Sequence, residues 1–306
     1  MSQGPAPPRA EGEMARRLAE IREEDLRRWV GAFSGLRHGQ REPEALAARA
    51  DLLVRELEGM GLKASREPIA YGGRTYHNIL SEARGREAGL PPLLIGAHYD
   101  AAWGTPGADD NASGVAALLG AARALASAPP RRAVRLAGFS IEEPQDAGDR
   151  ACRHGSRHHA REARRRGERL AGVYILEMVG YTDPRPGSQR IPVKLPAAPE
   201  AGTFLGAVGT RRSRHLLAGI REAAARHVPG LQVITHAVAL RGFLLPMSRM
   251  SDHAPFWDRG FPAVMLTDTA FLRNPHYHQP TDTPETLDFA FLTQVTRALA
   301  AAAAEG

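Results

Sequence analysis

Apolar residues recur at helical spacing in two N-terminal stretches, EMARRLAEIREEDLRRWVGAF (13–33) and EPEALAARADLLVRELEGMG (42–61). Each puts its apolar positions on one stripe and its charges on the other, as a helix packed on a core does. Gly61 closes the second stretch where a left-handed C-cap belongs. Downstream the period shortens. Apolar and β-branched runs closed by polar or turn residues predict strands at TYHNILSEA (75–83), LLIGAH (93–98), AVRLAGFS (133–140), GVYILEMV (172–179), LQVITHAVAL (231–240) and FPAVMLTD (261–268). Helical spacing returns in ASGVAALLGAARALAS (112–127), SRHLLAGIREAAARHV (213–228) and PETLDFAFLTQVTRALAAAAA (284–304). For the last of these, Thr283 is the expected N-cap and Pro284 the first helical residue. Strands alternating with helices predict an α/β protein whose mostly parallel sheet is covered on both faces. Residues 1–12 read as a frayed, Pro/Gly-rich start, and 182–209 carry no readable element. No repeat or sharp boundary divides the chain, so 1–306 reads as one domain, with N-terminal helices over about 13–60 and a core over about 73–304.

Composition narrows the class of molecule. A chain of 306 residues with 43% hydrophobic content buries a full core. Its apolar runs fall well short of the roughly 18–20 residues that span a bilayer, and the polar start shows no signal-peptide core. The expectation is therefore no membrane anchor and a cytoplasmic location. Cys152 is the single cysteine, which excludes a disulfide within the chain. The net charge of +6 raises nucleic acid as a partner. All but Lys63 and Lys194 of the 40 basic residues are arginines spread along the whole chain, with no aromatic-interleaved patch, which argues against it. The densest basic run, RHGSRHHAREARRRGERL (153–170), reads as a solvated helix face that includes His154, His158 and His159.

Placing the acids and histidines on this scaffold changes the picture. His98 and Asp100 follow one predicted strand, Glu142 and Glu143 another, Glu177 ends a third, and TDTAFLRNPHYHQPTDT follows a fourth. All fall at the carboxyl ends of strands, the edge at which open α/β sheets bind ligands. Imidazole nitrogen and carboxylate oxygen are zinc donors, and a catalytic zinc keeps a position open for water. In HYD the side chains at i and i+2 of an extended segment point to one side. Asp100 is thus placed to accept the second ring N–H of His98 and fix its tautomer, with direct ligation by Asp100 as the alternative. Two adjacent carboxylates diverge, so Glu142 and Glu143 should not share one metal.

GAHYD, PGADDNASG, the EE pair, LEMVGY, SDHAPF and NPHYHQPTDTPETLD occur in an order and spacing that resembles the zinc aminopeptidases of the M28 family, over residues 77–288. The resemblance implies a three-layer α/β/α fold with a central mixed sheet and two zinc ions, or other divalent metals, bridged by one aspartate and one water. Carried over residue by residue, it makes Asp110 the bridging ligand. One metal then takes His98, Asp110 and Glu177, and the other Asp110, Glu143 and His278. It also implies a cis peptide between Asp110 and Asn111, and Glu142 as the general base that passes a proton to the leaving amine. Tyr277 is a candidate donor to the developing oxyanion, with a packed loop aromatic as its other reading. Asp252 is expected to support the site, although it could instead cap the helix HAPFWDRG. Asp282 is expected either to support the His278 loop or to cap the last helix. His276 could compete with His278, but the YHxPxDT pattern selects His278. Trp103, Phe243 and Phe271 are candidate pocket residues.

The function expected on these grounds is metal-dependent exopeptidase, foremost an aminopeptidase acting on peptides or small amides. The alternatives are other amide hydrolysis, glutaminyl-cyclase-like chemistry, which uses one zinc on this fold, and a non-catalytic binding protein, which should lack ligands. A serine hydrolase is disfavoured because no G-x-S-x-G occurs.

Overall fold

The computed structural model describes residues 9–190 and 199–306. Eight helices and eight strands run in the order α1 (Arg9–Ala19), α2 (Glu23–Phe33), α3 (Pro43–Gly59), β1 (Ser65–Tyr71), β2 (Arg74–Ala83), β3 (Leu93–His98), α4 (Gly114–Ser127), β4 (Val134–Phe139), α5 (His154–Arg165), β5 (Gly172–Leu176), β6 (Leu205–Thr210), α6 (Arg214–His227), β7 (Val233–Val238), α7 (His253–Asp258), β8 (Ala263–Thr267) and α8 (Phe289–Glu305). The strands form one mixed sheet in the order β1-β2-β4-β3-β5-β8-β6-β7. Its centre, β4-β3-β5-β8, is parallel, while β1, β2 and the β6/β8 contact are antiparallel.

Alternation along the central strands builds two apolar layers. Ile95 on β3, Leu136 on β4 and Tyr174 on β5 face the larger core with α1 to α4, α6 and α8. Their neighbours Leu94, Ala137 and Ile175 face a smaller core, closed by Phe256 and Trp257 of α7 and Ala160 and Ala163 of α5. Successive residues of a strand point to opposite faces, so short uninterrupted apolar runs fill both layers. The result is the expected α/β/α sandwich. β3 pairs with β4 on one side and with β5 on the other, so the chain reverses its direction of travel across the sheet at β3. The ends of β3 and β5 therefore open onto the crevice of a topological switch point.

Several details differ from the sequence expectations. The first helical stretch is two helices, because the chain turns at 20–22 and buries Ile21. The frayed start expected through residue 12 is already helical from Arg9, while residues 1–8 lie outside the described residues. Strands β1 and β6 went unpredicted; all of β6 but Thr210 lies in the stretch that carried no readable element, part of which, 191–198, lies outside the described residues. The final helix starts at Phe289 rather than Pro284, which opens only a short 3-10 turn, and Asp288 caps it by accepting from the Phe291 N–H. The histidines of α5 are not all solvated. His159 is buried and its Nδ1 lies 3.1 Å from Glu67 Oε2 on β1, and His154 pairs with Asp149. Helix α5 turns Ser156, His159, Ala160 and Ala163 inward and leaves Arg161, Arg164 and Arg165 outside.

Candidate metal centre

Four strand ends deliver the site. His98 is the last residue of β3, Glu142 and Glu143 follow β4, Glu177 follows β5, and His278 lies in the long loop after β8. Asp110 arrives from the loop between β3 and α4, at a cis peptide bond to Asn111. Residues far apart along the chain, from His98 to His278, thus meet in one crevice.

His98, Asp110 and Glu177 form one group of converging donor atoms, and Asp110, Glu143 and His278 a second. Asp110 belongs to both, one oxygen to each. Its Oδ1 is 3.2 Å from His98 Nε2 and its Oδ2 is 3.1 Å from His278 Nε2. His98 Nε2 lies 3.6 Å from Glu177 Oε2, and His278 Nε2 lies 3.2 Å from Glu143 Oε1. Donors about 2.0–2.1 Å from a tetrahedral zinc are about 3.3 Å from one another, so this spacing fits the ion. A second observation supports the fit. Both ring nitrogens of His98 and Asp110 Oδ1 are buried without a hydrogen-bond partner, despite their proximity to one another. Buried polar atoms left without partners are costly, and a cation coordinated by them removes that cost.

The carboxylates crowd one another, and their acidities follow. Burial pushes the Glu142 carboxyl well above its usual range; nearby His98 opposes this, while Asp252, Glu143 and Glu177 add to it. Burial likewise raises Glu143, to about 7, with Asp110 adding to the effect. Asp110 is also buried, yet His278 and His98 hold it well below the usual carboxylate range. Burial would lower His278, but Asp110 and Glu143 bring it up to about 11. The two imidazoles thus stand where cationic charge is favoured most.

Around these donors, side chains grip the backbone. Asp100 Oδ1 and Oδ2 accept the N–H groups of Glu142 and Glu143. Its Oδ1 is also 3.4 Å from His98 Nδ1, without hydrogen-bond alignment, so the expected clamp on the imidazole is secondary to its hold on the glutamate pair. Asp282 repeats the device and accepts the N–H groups of Asp109 and Asp110. It therefore holds the Asp110 loop and does not cap the last helix. Asn111 accepts from Met178 N and donates to Leu176 O, bracketing Glu177, and Ser251 Oγ donates to Glu177 Oε2 at 2.6 Å. Ile141, Met178 and His278, the first two beside Glu142 and Glu177, have positive φ. Such backbone costs about 1–3 kcal/mol at each position and is held by its surroundings.

The remaining sequence candidates sort themselves by position. Asp252 is fully buried with both oxygens unpartnered, and it makes no capping hydrogen bond to α7. His276 stays outside both groups and pairs its Nδ1 with Thr281 Oγ1. Tyr277 stacks on the His278 ring at 3.9 Å and, with Glu177, borders a cavity of about 410 Å³. Phe204, Val208, Ile234, Leu244, Met265 and Phe271 make that cavity apolar. Phe271 is thus a pocket residue, whereas Trp103 and Phe243 are largely exposed, each beneath an arginine. Sequence reasoning overlooked the buried Arg37, which donates to the Tyr99 and Gly107 carbonyls of the loop between β3 and α4, and the side-chain contacts of Asn111 and Ser251. Asn111 and Ser251 sat inside quoted motifs, but Arg37 had no signal of its own.

The sequence pattern of peptidase family M28 matches residues 78–303. The chain belongs to peptidase family M28. As an M28 peptidase it is a metal-dependent hydrolase. It is 36% identical over 248 residues, 77% of its length and 72% of the relative's, to the uncharacterised protein YfbL of Escherichia coli. A probable zinc metalloprotease of Leptosphaeria maculans is 28% identical over 62% of this chain and 46% of its own. Among solved structures, the LapA aminopeptidase of Legionella pneumophila superposes with a TM-score of 0.74 at 20% identity, covering 99% of this chain and 76% of LapA. The glutaminyl cyclase of Porphyromonas gingivalis superposes with a TM-score of 0.66 at 20% identity, covering 92% of this chain and 96% of its own. At those identities the M28 peptidase shares the fold with both.

Proposed function

We propose that this M28 peptidase is a dinuclear zinc aminopeptidase that removes the N-terminal residue of peptides. The observation that carries the reading is the sharing of Asp110 between two groups of three donors. A single-metal cyclase needs only one such group. His98, Asp110 and Glu177 would hold one ion, and Asp110, Glu143 and His278 the other. Bound there, the ions would supply Lewis acidity and lower the pKa of water from near 16 toward about 7. Glu142 is the general base in this reading. Burial makes its carboxyl a stronger base than an ordinary carboxylate, in the direction that suits a group that must take a proton from the attacking water and release it to the leaving amine. Tyr277 is pushed up by burial and by the neighbouring Asp110 and Glu143, so its hydroxyl stays protonated and free to donate to the carbonyl oxygen. The apolar cavity beside Glu177 and Tyr277 would seat the side chain of the residue being released.

The experiment pairs metal analysis with a substrate panel. Purified protein should carry close to two zinc ions per chain. It should cleave p-nitroanilides of large apolar amino acids and lose that cleavage when the α-amine is acetylated. Glu142→Gln should keep its metal and lose about 10²–10⁴-fold in kcat. Full turnover in Glu142→Gln removes the base. Indifference to acetylation removes the aminopeptidase, and one ion with ammonia release from N-terminal glutamine points to a cyclase.

A further inference from the structure

The linker between α2 and α3 precedes the family-matched residues, yet it packs against the backbone that carries the metal centre. Arg37, on this linker, is fully buried. Its guanidinium donates to four backbone carbonyls: Nε to Tyr99 at 2.9 Å, Nη1 to Gly35 at 3.0 Å and Pro106 at 2.5 Å, and Nη2 to Gly107 at 2.8 Å. Tyr99 lies between His98 and Asp100, and Gly107 lies three residues before Asp110. One planar fork therefore pins both ends of the loop that separates the two metal-facing residues, with no carboxylate in direct contact. The loop is moulded to it. Gly107 has a φ of +59°, and a Cβ there would come within 2.9 Å of Nη2 and 2.3 Å of Asp110 O. The same linker braces the other side of the centre. His38 Nε2 lies 3.1 Å from Pro144 O, and Gln40 N donates to Gln145 Oε1, whose amide nitrogen donates to Glu143 O.

We propose that Arg37 is a positioning residue for the metal centre: by bonding both ends of the 99–107 loop it sets the separation of His98 and Asp110. The inference rests on the metal reading above. Two effects of the side chain oppose each other. Its fixed positive charge repels a dication, whereas its fork pre-arranges two of that dication's ligands. Three hydrogen bonds donated by a buried charge to the two ends of one loop, with a fourth to Gly35 on its own linker, decide for the second. Arginine is required because only its rigid fan of donors spans the four carbonyls, which a lysine ammonium does not.

The test measures zinc affinity of the full chain by competition with a chromogenic chelator, together with the visible absorption of the cobalt-loaded protein. Arg37→Met that retains wild-type near-ultraviolet circular dichroism should bind zinc about 10–100-fold more weakly, the loss typical of groups that orient metal ligands, and its cobalt bands should shift. Arg37→Ala should regain both on addition of methylguanidinium. Wild-type or tighter affinity in folded Arg37→Met overturns the proposal, since the charge alone would then act. If Arg37→Met does not fold, Arg37→Lys decides: weaker binding supports positioning, and wild-type affinity and spectrum overturn it. If the wild-type chain binds no zinc, the metal reading itself fails and this inference falls with it.

Discussion

Tyr277 lies face to face with the His278 imidazole and 5.7 Å from the Phe271 ring, at the boundary between the donor cluster and the apolar cavity. Its ring and its hydroxyl make separable contributions. The ring packs against His278 and walls the cavity; the hydroxyl is the part that could stabilise developing charge. Tyr277→Phe keeps the first and deletes the second, so kcat should fall about 10²–10³-fold with KM within a few-fold, as for loss of one oxyanion donor. A rise in KM at unchanged kcat in steady-state kinetics would reduce the side chain to a cavity wall. The five converging side chains were legible in the sequence, His98, Glu143 and Glu177 from their places at strand ends, and Asp110 and His278 from loop motifs that resemble those of the family. The groups that hold them were less so. Asp282 and Arg37 act on backbone atoms of loops far along the chain, and no residue spacing encodes where a loop will pass. Ser251 became meaningful only when Glu177 was found 2.6 Å away.

At the scale of elements, the apolar patterns located the central strands because those strands are buried on both faces. The misses have physical causes. β1, SREPIAY, is an edge strand with mostly exposed residues and a proline, and β6, LGAVGT, is interrupted by two glycines that weaken its apolar run. The start of α8 is the informative error. Thr283 and Pro284 satisfy the local rules for a helix start, yet the chain makes one 3-10 turn there and returns to extended backbone at Leu287. Asp288 then caps α8, and its Oδ2 also accepts from Thr182 Oγ1. Asp288→Ala should therefore destabilise the protein by about 0.5–2 kcal/mol in denaturant unfolding. Thr283→Ala, at a half-buried position whose side chain caps nothing on α8, should cost less than Asp288→Ala, by about 0.5 kcal/mol or more. The reverse order would restore the cap expected from the sequence.

At the scale of the whole molecule, the sheet's switch point gathers Asp110, Glu142, Glu143, Glu177 and Asp252 in one buried crevice. Without cations, this crowding is met only by shifted acidities: Glu143 and Asp252 are each pushed up to about 7, in both cases chiefly by burial. The apolar packing takes in the carboxyl edge only through residues such as Tyr99, Ile141 and Val179, and the bulk of both cores lies on the sheet faces. Metal should therefore add stability without being needed for folding. A ligand that binds only the folded state stabilises it by RT ln(1 + [L]/Kd), about 2.7 kcal/mol at a hundredfold excess over Kd. Removing metal with a chelator at neutral pH should abolish hydrolysis, leave far-ultraviolet circular dichroism unchanged and lower Tm by several degrees. Zinc should restore activity and Tm together. Unfolding on chelation would show that the carboxylate crevice cannot stand without its cations, and an unchanged Tm with full activity would show that no metal serves this site.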